Sequence, residues 1–188
     1  MSDYTIAVDW SGKNALADTN PAKVVSGDDF NTEFSTIRTA INSKLDESSG
    51  VCFRAYKNVE QGITMNVWQN VEFEVEDFDL TNDFDLTNDR FTPSAAGYYL
   101  MTGRIGHLSE YDDEALLVVY KNGALVSYLD HPVQPATTSN HLEHLGGSTL
   151  LYANGTTDYF QLYYYTEASA NKIDDTDAEF SAVLVRTA

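Results

Sequence analysis

The chain has 188 residues, with 11 Lys and Arg against 29 Asp and Glu and a formal net charge of −18; the length fits one ordinary domain with a short appendage, and the charge excludes a phosphate backbone or an anionic membrane as partner. Hydrophobic residues reach 43% and aromatic residues 12%, which suits a packed core and not a disordered acidic tail. No apolar run nears the ~20 residues that span a bilayer, the start Met-Ser-Asp-Tyr does not read as a secretory signal, and the single cysteine, Cys52, allows no intrachain disulfide.

The charge is uneven: residues 1–49 carry −4 and residues 50–188 carry −14. Residues 1–27 read as an extended arm with one large anchor, Trp10, and too little apolar material for a core of their own. Such a strip orders only against a partner surface. Residues 28–49 read as a short helix. Ser26-Gly27-Asp28-Asp29 offers N-caps, Glu33 is expected in the first turn, and Ser48-Ser49-Gly50 ends it. Phe30, Phe34, Ile37, Ile41 and Leu45 follow one another at spacings of 4, 3, 4 and 4, a one-sided stripe. About four turns are marginal alone in water. As a coiled coil, Phe34 and Ile41 take a positions and Ile37 takes d, a pattern that favours three or more strands. The plainer alternative is a helix packed on its own C-terminal domain.

Residues 50–188 read as all-β. Val51, Phe53 and Ala55 alternate with Cys52, Arg54 and Tyr56, and Val71, Phe73 and Val75 alternate with Glu72, Glu74 and Glu76. Gly97–Ile105 is a third strand. Leu116–Tyr120 and Leu125–Leu129 flank Asn122-Gly123, the strongest short hairpin signal. Thr149–Tyr152 and Tyr159–Tyr165 flank Asn154-Gly155 and predict a second hairpin. Phe180–Val185 closes the chain. Short strands with turn residues between them predict a sandwich or barrel.

Few residues suggest chemistry. Asp77-Phe78-Asp79-Leu80-Thr81-Asn82 is repeated at once as Asp83-Phe84-Asp85-Leu86-Thr87-Asn88. Asp77, Asp79, Asp83 and Asp85 are candidate Ca²⁺ ligands, but on one strand they would form a solvated face, which is the favoured reading. His141 and His144, with Glu143 between, lack a third metal ligand, and their neighbours speak for a loop. His107 and His131 read as loop or interface residues, and Cys52 as a small, inert buried residue. Gly-x-Ser-x-Gly, a phosphate loop and His-Glu-x-x-His are absent, so no enzyme is expected. Asn154-Gly155-Thr156 is a glycosylation sequon only for a secreted chain. Tyr159, Tyr163 and Tyr165 share one strand face with Gln161, opposite Phe160, Leu162 and Tyr164. Both faces are partly apolar, so the strand is expected to be covered twice, by a trimer axis or, second, by a ligand groove.

Phe53-Arg54-Ala55, Phe91-Thr92-Pro93 leading to Gly97-Tyr98-Tyr99, Tyr120-Lys121-Asn122-Gly123, Leu150–Asp158 and Phe180-Ser181-Ala182-Val183-Leu184 together resemble the C1q/TNF-like jelly-roll domain, over roughly residues 50–187. The segment before Phe91 is longer than usual for that family, and Asn154-Gly155 stands where Gly-Asp is common. The resemblance implies a ten-stranded two-sheet sandwich that packs as a homotrimer. It implies no particular ligand, because the fold hosts many binding roles. Tyr4–Lys13, Asn20–Gly27 and Asp29–Phe34 resemble the leader of tailed-bacteriophage virion proteins. That likeness implies a docking arm, with Tyr4, Trp10, Lys13 and Pro21 as docking residues, on a tail adaptor or capsid protein. The two likenesses together imply a trimeric head over residues 50–188, exposed on the virion surface for a host glycan or protein; the charge and the lack of a long apolar run speak against a nucleic acid partner and membrane insertion. A capsid decoration protein is the alternative.

Overall fold

A computed structural model describes residues 4–44, 50–109, 114–132, 141–167 and 172–188. The chain divides into two compact units, Met1–Ser49 and Gly50–Ala188.

The N-terminal unit is less extended than its composition predicts, because polar side chains cap local turns. Asp9 accepts from Gly12 N at 2.8 Å and starts a six-residue helix, α1 (Trp10–Ala15). Asn20 accepts from Ala22 N and starts a 3-10 turn, Pro21–Lys23. Helix α2 (Gly27–Lys44) opens on a reciprocal cap in which Asp29 N donates to Ser26 Oγ and Ser26 N to the Asp29 carboxylate. Lys13 joins these pieces: its ammonium lies 2.9 Å from Asp29 and donates to the carbonyls of Ala22 and Val24. Glu33 lies in the second turn of α2, not the first. It is buried and accepts from Ala7 N and Val8 N at 3.1 and 2.9 Å. A carboxylate given two backbone donors holds the arm against the helix. Of the apolar stripe, Phe30, Phe34 and Ile41 are exposed and Ile37 is half-buried; Leu45, Ser48 and Ser49 fall outside the described residues.

In the second unit, thirteen strands are described: β1 (Cys52–Tyr56), β2 (Gln61–Gly62), β3 (Gln69–Asn70), β4 (Val75–Asp79), β5 (Phe84–Asp85), β6 (Arg90–Phe91), β7 (Ala96–Ser109), β8 (Ala115–Lys121), β9 (Ala124–Asp130), β10 (His141–Asn154), β11 (Phe160–Thr166), β12 (Lys172–Ile173) and β13 (Glu179–Thr187). They form two antiparallel sheets. The first runs β2-β12-β7-β13-β1-β4, with β10 also paired to β7. The second runs β5-β6-β11-β8-β9, with β3 also paired to β11. Alternate residues of each strand point inward, so Phe53, Phe180, Tyr99 and Met101 of the first sheet meet Phe84, Phe91, Leu117 and Leu162 of the second in one core. Phe53 is its centre: its ring lies 4.6 Å from Phe84, 4.5 Å from Phe91 and 5.2 Å from Phe180.

Three expectations change. Residues 71–74 are not a strand, although Val71 and Phe73 are buried and Glu72 and Glu74 exposed as alternation predicts. Their amides are drawn to other acceptors: Val71 N to Leu162 O, Glu72 N to Gln61 Oε1 and Phe73 N to Asp89 Oδ1. Thr149–Tyr152 and Tyr159–Tyr165 do not form a hairpin, because β10 pairs β7 in the first sheet and β11 pairs β8 in the second. Asn154-Gly155 instead turns the chain from one sheet to the other. The Asn154 side chain accepts from the amides of Thr156, Thr157 and Asp158, and Gly155 takes φ +72°, where a Cβ would overlap the Ala95–Ala96 backbone. His141 and His144 lie on β10, not on a loop.

Phe53→Ala should destabilise the head by ~3–5 kcal/mol, through lost transfer energy and a cavity between the sheets. Phe78→Ala, on the exposed side of β4, should cost about 0.5 kcal/mol or less. Urea midpoints followed by tyrosine fluorescence measure both.

Candidate functional site

The two outward faces of the sandwich differ in chemistry. On the first sheet, Leu150 of β10 stands opposite Leu100 of β7, Leu100 opposite Val183 of β13, and Val183 opposite Cys52 of β1. Directly opposed residues share a face, so these four make one continuous row. Leu100 is 40%, Leu150 55% and Val183 44% exposed. Beside the row, Tyr152 pairs with Tyr98, their ring centroids 5.6 Å apart, and Val185 is exposed. An open hollow of about 570 Å³ lies among Tyr98, Leu150, Val185, Arg186 and Thr187. Further along the same face the chemistry is ionic: Arg54 bridges Asp77 at 2.7 Å and Glu179 at 2.8 Å. Cys52 is thus half-buried on this outer face and not a core residue.

The second sheet turns rings outward. Tyr159, just before β11, and Gln161, Tyr163 and Tyr165 of β11 are half-buried, while Phe160, Leu162, Tyr164 and Thr166 are buried. Tyr163 stacks on Tyr120 of β8 with centroids 4.0 Å apart and planes inclined by 19°. Trp68, just before β3, lies 5.1 Å from Tyr165 and 6.0 Å from Tyr120. Tyr159 stands apart, under the Arg90 guanidinium at 4.9 Å. Trp68 and Tyr120 were not singled out from sequence. Trp68 lies where no periodicity marks a strand, and Tyr120 looks like any hairpin residue before Lys121-Asn122-Gly123.

The duplicated acidic segment folds as two short strands and their turns. The carboxylates of both repeats are engaged within the head. Asp79 accepts from Thr81 N and Phe84 N, Asp83 from Thr81 Oγ1 and from Ser94 N and Oγ, and Asp85 from Thr87 N and Asn88 Nδ2. Asp77 pairs with Arg54. The four candidates therefore do not share one solvated strand face. Among the described residues no three His, Cys, Asp or Glu side chains gather for a metal ion. Asp89 closes the segment. Its carboxylate accepts from Phe73 N at 2.7 Å, and burial pushes its pKa up to about 6 against that hydrogen bond, with the Glu72 charge adding to the rise. Lys57, almost wholly buried, pairs with Glu74 at 2.8 Å and donates to Glu72 O.

His107 is a buried β7 residue and not a loop histidine: its Nδ1 lies 2.9 Å from the Tyr164 hydroxyl of the opposite sheet, and Glu143 stands opposite it on β10. His131 lies 2.7 Å from Glu114. In the N-terminal unit, Trp10 packs on Phe30 with centroids 6.0 Å apart, and Phe30 stacks on Phe34. Lys13 is engaged inside the unit, and Tyr4 and Pro21 are exposed. Ile6 and Val24, 63% and 69% exposed, add apolar surface that the sequence reading did not single out.

No family model matches the sequence, and no curated protein matches it by sequence. Solved structures do. The globular domain of zebrafish complement 1qA superposes with a TM-score of 0.52 at 15% identity, covering 74% of this chain and 100% of that one. Eiger TNF from S. frugiperda superposes with a TM-score of 0.54 at 12% identity, covering 74% and 94%. Murine APRIL at pH 5.0 superposes with a TM-score of 0.52 at 8% identity, covering 73% and 100%. The fold is therefore a C1q/TNF-like jelly-roll sandwich, with thirteen described strands where ten were expected.

The raised Asp89 carboxyl has a pH signature. Between about pH 4 and 6 the folded chain keeps a proton that the unfolded chain has lost. This group's contribution is therefore most favourable below its unfolded value and is lost as pH rises through 6. Asp89→Asn keeps the acceptor for Phe73 N and removes the buried charge. Above pH 7 it should be more stable than the parent by on the order of 2–3 kcal/mol. The difference should vanish near pH 4, as read from melting curves of the two proteins across that range.

Proposed function

We propose that the chain is a non-enzymatic structural protein of a tailed-bacteriophage virion. In this reading it is a short homotrimeric fibre or spike whose N-terminal unit docks on another virion protein, a tail adaptor or capsid protein, and whose jelly-roll head is displayed to the host surface. The observation that carries self-assembly is the row Leu150–Leu100–Val183–Cys52 with Tyr98, Tyr152 and Val185 beside it. Contiguous exposed apolar surface bounded by charged groups is what an interface looks like before its partner arrives. The C1q/TNF resemblance implies three copies, and this face lies on the strands that would surround their axis. Phe30, Phe34 and Ile41 offer a second apolar stripe for the same assembly.

Docking by the N-terminal unit rests on the likeness of residues 4–46 to virion leaders. The exposed Tyr4, Ile6, Val24 and Val25 are consistent with a partner surface. Glu33 and Lys13 hold the arm in one shape, which lowers the ordering entropy that binding must meet. Decoration of the capsid is the second reading. What favours it is the small size of the chain, whose sequence leaves almost no length for a shaft between residues 46 and 51. Antibody labelling of intact virions separates the two readings. Labelled tails mean a fibre, labelled heads mean decoration, and unlabelled particles with the protein found elsewhere overturn the virion assignment.

The purified chain should scatter light as three copies. Leu100→Glu with Val183→Glu should give a folded species of one-copy mass, because carboxylates buried at a three-fold contact repel and lose hydration. Three chains at −18 each also repel, so the parent trimer should melt higher in 0.5 M NaCl than in dilute buffer.

A further inference from the structure

We propose that residues 4–7 dock as a β-strand, adding themselves to the open edge of a β-sheet in the virion protein that receives the N-terminal unit. The proposal deepens the docking reading and rests on it. Tyr4-Thr5-Ile6-Ala7-Val8 is uncharged, holds no glycine or proline, and is rich in aromatic and β-branched residues, the composition of a strand. Yet residues 4–7 lie in no helix, strand or turn, and all four are exposed. Among the described residues nothing hydrogen-bonds to the backbone of Tyr4, Thr5 or Ile6. A strand-forming run without a strand beside it is a local preference that the isolated chain leaves unmet. The root of the segment is fixed. Glu33, itself buried, accepts from Ala7 N and Val8 N, and Asp9 caps α1 directly after. Tyr4, Thr5 and Ile6 are thus presented from a held base, about 10 Å of chain at strand spacing.

Backbone chemistry selects the partner. Each of these residues carries one N–H donor and one C=O acceptor that must be met once water is excluded. A helix satisfies its own backbone, so a helical groove would strip water from residues 4–6 and leave those groups unmet. A sheet edge presents unpaired N–H and C=O groups at the spacing of the incoming strand. The side chains agree. Paired as a strand, Tyr4 and Ile6 would share one face, and they are 42% and 63% exposed, free to enter pockets beside the edge. A second copy of this chain is the poorer host. Its β9 edge lies against β10, where Ser127 Oγ donates to Thr149 Oγ1 and Gly146 N to Asp130 Oδ2. Its β4 edge carries Glu76, Asp77 and Asp79, and charge along an edge discourages pairing.

The test compares the full chain free and in intact particles. In the purified chain the amides of residues 4–6 should exchange freely with deuterium, and in the particle their exchange should slow at least tenfold. A paired strand turns alternate N–H groups to its neighbour, so proline, which has no N–H, should act at alternate positions. Of Thr5→Pro and Ile6→Pro, one should lower the copies per particle at least tenfold and the other should stay within about threefold of the parent. Thr5→Ala, which keeps the N–H, should also stay within threefold. Each variant should melt with the parent when purified, which separates lost docking from lost folding. Both proline variants docking like the parent, both failing alike, or amides unprotected in the particle would overturn the proposal. Amides already protected in the purified chain would also overturn it, in favour of a second copy as host. In each of these cases the parent is still counted on the particle, so the virion assignment stands. Absence of the parent from particles overturns both.

Discussion

The head depends on the rings gathered around Phe53. β1, between β13 and the edge strand β4 of the first sheet, sends this side chain inward, where it touches Phe84 and Phe91 of the second sheet and Phe180 of its own. Phe73 joins from a segment with no regular structure, within 6.1 Å of Phe84 and 6.2 Å of Phe180. Two sheets on one sequence stay face to face only if something large and apolar fills the ~10 Å between them. Rings do so here with edge and offset contacts, which add to the free energy of burial. The stretch from Phe73 to Phe91 is thereby tethered at three points, and its polar residues are free to shape the turns between them.

Those turns give several of the acids a structural task. Asp79, Asp83, Asp85, Asp89 and Asp158 each accept from backbone or side-chain donors within their own loop or a neighbouring one. A carboxylate satisfies two donors where a carbonyl from a paired strand is missing, so the short strands β3, β5 and β6 persist without long ladders. The N-terminal unit works the same way: Asp9, Asn20, Asp29 and Glu33 supply the acceptors that its backbone lacks. Acid residues that look like a ligand set in one dimension are, in three, the capping groups of a chain with many turns.

With the acids committed to turns, the distinguishing chemistry of the surface lies on the two sheet faces. One is aliphatic with a tyrosine pair and an Arg54–Glu179 bridge at its edge, suited to a second copy. The other is aromatic, with Tyr120 and Tyr163 stacked on each other and Trp68 packed beside Tyr165. The two faces lie on opposite sides of a ~10 Å core and share no residue.

The class of fold is legible in the chain's own patterning. Period-two alternation in Val51–Tyr56, Phe160–Tyr165 and Phe180–Val185, and the Asn122-Gly123 turn, follow from local rules of strand and turn, and so they could be read in one dimension. The stripe of α2 and its Ser26–Asp29 cap are local for the same reason. Which strands pair is settled by long-range packing. Asn154-Gly155 carries a hairpin signal, yet its flanking strands join different sheets, because a positive φ specifies a bend and not the partner beyond it. Only the fold brought Trp68 beside Tyr165 and set Leu150, Leu100, Val183 and Cys52 in one row. Those neighbours come from separate strands, and alternation within a strand assigns its two faces without naming the strand that will lie beside it.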